Sequence, residues 1–188
     1  MAKLDLALVH YPVMNRRGEE IGSAVTNLDV HDIARACRTY GVDRYYVVTP
    51  FADQQRLVAE IVDHWRSGYG ATANPDRGSA LATVEVAASV EDVVEAAQRK
   101  WGEPPLLIAT GAQARGSLLS FAEARQRLQD GTPLLILFGT GWGLAERLVR
   151  TAACSLPPID GGNGYNHLSV RAAAAIVLDR LCGERVSG

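Results

Sequence analysis

Five apolar, β-branched runs punctuate the chain: Leu4–Val9, Tyr45–Thr49, Leu81–Ala87, Leu106–Thr110 and Leu134–Phe138. Most do not alternate with polar residues, which is the pattern of strands covered on both faces of a sheet. Amphipathic stretches separate them. From Asp29 onward, Val30, Ile33, Ala34 and Cys37 keep the i, i+3, i+4, i+7 spacing of one helix face, and the pattern stops at Gly41. A second stretch runs from Asp53 to Trp65 and breaks at Ser67-Gly68. A third follows Ser89, an N-cap with Asp92 three residues on, and carries Val90, Val93, Val94 and Ala97 on one face. Ser117 or Ser120 opens a fourth, through Arg127, and a fifth spans about Leu168 to Leu181. Strands alternating with helices predict right-handed crossovers and a mostly parallel sheet with helices on both faces. One α/β domain over residues 1–188 accounts for the pattern. Tyr11–Asn27, Gly68–Ala80 and two glycine loops read as irregular, and a loop as long as the first is more often functional than idle.

The glycine loops are the most informative segments. Leu134–Phe138 breaks into Gly139-Thr140-Gly141-Trp142-Gly143, and Leu156-Pro157-Pro158-Ile159 breaks into Asp160-Gly161-Gly162-Asn163-Gly164. Glycine permits tight turns and close backbone approach to a ligand. Two such loops can meet over one pocket at the ends of neighbouring strands. A plain structural reading makes them turns at helix starts, with Trp142 covering the core. Asp160–Gly164 is, however, costly to order unless something docks on it. A dinucleotide fold is a second reading, with Asp160 as the ribose-binding acid. Its spacing is GxGxG rather than GxGxxG, and the 45 residues after Gly143 are too few for the strands that fold requires.

Composition narrows the field. With 188 residues and 47% hydrophobic content the chain can bury a sizeable core. Nineteen basic against 21 acidic residues give a net charge of −2, so no global field draws it to nucleic acid, although a local basic patch remains open. No apolar run is long enough to span a membrane. Cys37, Cys154 and Cys182 are scattered, without a CxxC pair or a leader segment, and suggest reduced thiols in a cytoplasmic protein. His10, His31, Cys37 and Cys154 lack metal-ligand spacing, so no metal is expected.

The paired loops resemble the C-terminal part of the SPOUT class of S-adenosylmethionine (SAM)-dependent RNA methyltransferases. The resemblance rests on Ile136-Leu137-Phe138-Gly139-Thr140, on Leu156-Pro157-Pro158-Ile159, and on Asn166-His167-Leu168-Ser169-Val170 leading into Arg171-Ala172-Ala173-Ala174. At the other end, Asn27-Leu28-Asp29, Arg35 and Gly41-Val42-Asp43 resemble the first motif of the class. Two positions depart from it: Gly141 stands where an acid is common, and His167 where an asparagine is usual. The chain looks closest to a small bacterial group of SPOUT-like proteins assigned as RNA methyltransferases.

The resemblance implies a C-terminal trefoil knot, a homodimer in which the first and last helices pack between subunits, and methyl transfer to tRNA or rRNA. It places SAM against Thr110-Gly111, Phe138-Gly139-Thr140-Gly141, Leu156, Ile159, Asn166, Leu168 and Ser169. Ile159 and Leu168 would pack on the adenine, though both also suit ordinary core positions, and Ser169 suits the N-cap of the last helix. Arg35 would hold a target phosphate or activate the acceptor. Asp29 would accept a proton or cap its helix, and Asn27, in the same turn, would be the third catalytic residue. His10 and His31 are acid–base candidates near neutral pH, and Asn15, Arg16 and Arg17 would meet RNA phosphates. A SAM- or nucleotide-binding protein without turnover, a nicotinamide oxidoreductase and a small-molecule methyltransferase are the alternatives.

Overall fold

The computed structural model describes residues 2–184. Six strands form one parallel sheet: β1 (Leu4–Val9), β4 (Arg44–Val48), β5 (Val84–Ala87), β6 (Leu106–Ala109), β7 (Leu134–Gly139) and β8 (Cys154–Ser155), in the order β5-β4-β1-β7-β6-β8. Between β1 and β4 a small antiparallel hairpin, β2 (Val13–Met14) with β3 (Glu20–Ile21), lies apart from the sheet. The helices are α1 (Asn27–Thr39), α2 (Ala52–Arg66), α3 (Tyr69–Ala73), α4 (Pro75–Leu81), α5 (Val90–Trp101), α6 (Phe121–Gln129), α7 (Glu146–Thr151) and α8 (Val170–Cys182).

The alternation of strand side chains divides the core in two. Leu4, Leu6 and Leu8 of β1, Tyr45 and Val47 of β4, and Leu134, Ile136 and Phe138 of β7 face α1, α2, α4, α6 and α8. Ala7 and Val9, Tyr46 and Val48, and Leu135 and Leu137 face α5 and α7. Each fully buried Leu, Ile, Val or Phe among them contributes about 1.5–3 kcal/mol of transfer free energy. Asp5 is the polar exception on the second face. Its carboxylate takes Lys100 Nζ at 2.7 and 2.9 Å and Trp101 Nε1 at 3.2 Å, tying the end of α5 to the start of β1.

Several boundaries differ from the sequence pattern for local reasons. Thr26, not Asp29, caps α1; its hydroxyl accepts the Asp29 N–H, which places Asp29 in the first turn. Leu81 ends a helix rather than opening β5. The segment 68–80 holds α3 and α4, because Asn74 caps Arg77 N–H and Pro75 sits in the first turn, where its missing donor costs nothing. Ser89 and Ser120 both form capping boxes, with Asp92 and Glu123.

β8 pairs with β6 on one side, and on the other with the segment that has just left β6. Ser155 N–H bonds Ser117 O at 2.8 Å, and Leu119 N–H bonds Ser155 O at 2.9 Å. The connection between β6 and α6 therefore crosses to the far side of β8.

Candidate active site

The loops that follow β1, β6 and β7 all leave the same end of the parallel sheet, the carboxyl end where open α/β folds bind ligands. Thr110 and Gly111 follow β6. The Thr110 hydroxyl and N–H both donate to Leu137 O, at 2.9 and 3.1 Å, fixing this loop to β7. Gly139 closes β7, and a Cβ built there would lie 2.6 Å from the carbonyl carbon of Gly143, so the turn 139–144 closes only over glycine. Gly141 (φ +60°) and Gly143 (φ +102°) complete it in the left-handed region.

The third loop leaves β8. Leu156 is buried in the core beneath it, and Ile159 is partly buried against the same cluster. Asp160 Oδ1 accepts Gly162 N–H and Asn163 Oδ1 accepts Tyr165 N–H, two short turns that shape the polar stretch. Asn166 Nδ2 then donates to Ala112 O at 2.7 Å, which joins the third loop to the first. Leu168 is 46% exposed, an apolar side chain turned outward at the loop's end. Ser169 caps α8, its hydroxyl accepting Ala172 N–H at 3.2 Å.

Arg171 binds the start of α8 to α1. Its guanidinium reaches Asp29 Oδ1 at 3.1 Å and Asp32 Oδ2 at 3.3 Å. The buried Asp29 carboxylate also accepts the Thr26 hydroxyl at 2.6 Å, so both of its oxygens are engaged. The ion pair ties the first turn of α1, which carries Asn27, to the first turn of α8, the helix that follows the third loop. Arg35 lies about two turns further along α1. It is exposed, and its guanidinium has no hydrogen bond or ion pair among the described residues.

On the other flank of β7, a chain of hydroxyls anchors the loop 11–27. His10 is fully buried at the end of β1, and its Nδ1 lies 3.0 Å from Ser23 Oγ. Ser23 Oγ in turn hydrogen-bonds Thr140 Oγ1, and the Thr140 hydroxyl reaches Val9 O at 3.2 Å. Burial holds the His10 imidazole below its usual pKa, against the Asp29 carboxylate that favours its charge. His31 is shifted the same way by burial, with Arg77 adding to it. It packs edge-on to Trp65 on the far side of α1. Met14 N–H bonds Gly143 O and Trp142 N–H bonds Met14 O, so the hairpin extends a backbone ladder onto the glycine turn. Trp142 does not cover the core: it is 59% exposed, and Leu144 is the buried residue of the turn.

The structure thus brings the three expected cofactor loops to one sheet end, with Asp29 tied to the helix that follows the third. Ser23 and Arg171 join the site without a sequence signal. One is a lone serine in a long loop, and the other pairs with a residue 142 positions away. Two shallow concavities, one between α2 and β5 and one beside Trp65, lie away from these loops. No group of metal-ligating side chains occurs among the described residues, and none of their helices is long and apolar enough to cross a membrane.

Residues 3–183 match the family model described as SAM-dependent RNA methyltransferase, and the chain belongs to that family. It is 44% identical, over 96% of its length, to a tRNA (guanine-N(1)-)-methyltransferase of Oleidesulfovibrio alaskensis, of which it covers 42%. It is 38% identical over 94% of its length to an uncharacterized protein of Aquifex aeolicus, covering 86% of that chain. The chain spans less than half the length of the tRNA methyltransferase relatives it matches. Among solved structures, TrmJ of Z. mobilis ZM4 shares the fold, at a TM-score of 0.62 and 18% identity over 96% of this chain and 69% of that one. Family membership identifies SAM as the cofactor and sets the nicotinamide alternative aside.

Proposed function

We propose that this chain transfers the methyl group of SAM to a nucleotide of tRNA or rRNA, as a cytoplasmic homodimer of a single α/β-knot domain. The observation that carries the reading is the junction of three strand-end loops, through Thr110–Leu137 and Asn166–Ala112, over a turn that admits only glycine. Bound there, SAM supplies an electrophilic methyl whose sulfur departs as a neutral thioether. Gly139–Gly141 offers backbone polar groups at the close range that side chains would forbid. Leu168, exposed at the rim, and Ile159 beneath it offer the adenine an apolar contact. Arg35, exposed on α1 with no ion pair among the described residues, holds an acceptor phosphate or base. The domain's work is to align donor and acceptor and exclude water, which carries much of the barrier reduction in a displacement of this kind.

The knot finds support in β8, which runs between β6 and the segment 117–119 that departs from β6, as a threaded strand does. Leu28 on α1 is 60% exposed, an apolar side chain suited to a subunit contact across α1 and α8. tRNA enters as the first acceptor to test, because the longer relatives carry that activity in their names.

A second reading, SAM binding without turnover, is favoured by Gly141 and by the full engagement of Asp29. Incubation with methyl-tritiated SAM and separate tRNA and rRNA pools, from cells lacking the gene, distinguishes the two. Methyl transfer predicts label in one pool, lost in Arg35→Ala while SAM still binds. SAM binding with no label in either pool would leave only the second reading.

A further inference from the structure

Trp142 occupies a position that neither the core nor the cofactor loops require. It projects between two left-handed glycines, at 59% exposure, from a turn held by three backbone hydrogen bonds. Gly143 N–H bonds Thr140 O at 3.0 Å, Trp142 N–H bonds Met14 O at 3.0 Å, and Met14 N–H bonds Gly143 O at 2.9 Å. The backbone beneath the indole is therefore fixed, while the ring itself stands in solvent.

Its surroundings point to one kind of ligand. Trp142 immediately follows Gly139–Gly141, on the β1 side of β7, whereas the Asn166–Ala112 junction lies on the β6 side. Met14, its backbone partner, leads directly into the turn of the hairpin. There Asn15 Oδ1 accepts the N–H groups of Arg17 and Glu19, and the exposed guanidiniums of Arg16 and Arg17 have no ion pair among the described residues. Tyr11 and Phe51, both more than a third exposed, stand edge to face beside the hairpin; Arg147 lies 6.0 Å from the Tyr11 ring centroid but is ion-paired with Glu20 at 3.1 Å, which leaves Arg16 and Arg17 as the cations open to a phosphate. Exposed aromatic faces interleaved with arginines take up unpaired nucleobases by stacking and their phosphates by charge; a base inside a duplex presents no free face.

Resting on the methyltransferase reading, we infer that Trp142 is the stacking platform for an unpaired base of the RNA acceptor. The substrate class is then a nucleotide in a loop, a bulge or an extruded position, with Arg16 and Arg17 on the adjoining phosphates.

The test uses the full chain and its Trp142→Ala and Trp142→Phe variants. Fluorescence anisotropy measures affinity for a labelled, unstructured twelve-nucleotide RNA and for the same strand in a duplex. Calorimetry measures SAM affinity, and sedimentation measures the oligomeric state. Trp142→Ala is expected to weaken single-strand binding about tenfold, with Trp142→Phe restoring most of it. Duplex binding, SAM affinity and oligomeric state should stay unchanged. Single-strand binding equal in wild type and Trp142→Ala would overturn the inference. Loss of SAM affinity would move Trp142 into the cofactor pocket, and a changed sedimentation rate would make it a contact between copies; either result overturns it too. Wild-type protein that binds SAM but no RNA of either form would instead sink the RNA reading beneath it.

Discussion

At the scale of single residues, the glycine turn shapes the site, and buried His10 with partly buried His31 sets how the fold answers to pH. Gly139→Ala places a methyl group against the backbone of Gly143 and Leu144, which cannot yield as a side-chain end would. The substitution should cost about 2 kcal/mol, a fall in Tm of about 4–8 °C by thermal unfolding. Wild-type stability in Gly139→Ala would show that the turn has slack. His10 and His31 are held below the usual 6.5 by burial, so they are neutral in the fold and take up protons more readily in the unfolded chain. Stability should therefore be at its full value above about pH 6.5 and decline as pH falls below it. Urea midpoints at pH 7.5 and 5.5 measure this, and His10→Gln should flatten the difference. The glycines and the end-of-strand position of His10 were legible in the sequence. Ser23, Arg171 and the exposure of Trp142 were not, because each depends on a neighbour far away in the chain.

At the scale of elements, capping chemistry was the most readable feature. Ser89 starts its helix where the pattern placed it, with Asp92 three residues on, and of the two serines open for the fourth helix, Ser120 is the cap, with Glu123. Short elements escaped, since β2, β3 and β8 are two residues long and α3 spans five, below any periodicity window. The coupling that matters for function is α1 with α8, through Arg171 and the engaged Asp29. Arg171→Gln removes the charged partner of a buried carboxylate and should cost about 2 kcal/mol in urea unfolding. The double variant Asp29→Asn/Arg171→Gln should recover part of that loss, because it no longer buries an unmatched charge. If the double variant is no more stable than Arg171→Gln, the pair is not what joins these helices. Methyl transfer should fall in Arg171→Gln more than stability alone explains, as α1, which carries Arg35, loses its tie to the helix that follows the third loop.

At the scale of the molecule, fold class followed from alternating strands and helices, but the strand order β5-β4-β1-β7-β6-β8 did not. Local pattern fixes which segments are strands; their neighbours are set by crossovers whose helices choose a face of the sheet. Here α5 and α7 take one face, and α1, α2, α4, α6 and α8 the other. That arrangement brings residues as distant as Thr110, Gly139 and Asn166 to one end of the sheet, the proposed SAM site. The measurement that tests this most directly is calorimetric titration with SAM of the wild type beside Leu168→Glu. Leu168 is largely exposed, so the substitution should leave Tm unchanged while setting a carboxylate against the adenine site. The wild type is expected to bind SAM, and Leu168→Glu to lose that binding at unchanged Tm. A wild type that ignores SAM, or a Leu168→Glu variant that binds it equally well, would contradict the placement of the cofactor in these loops.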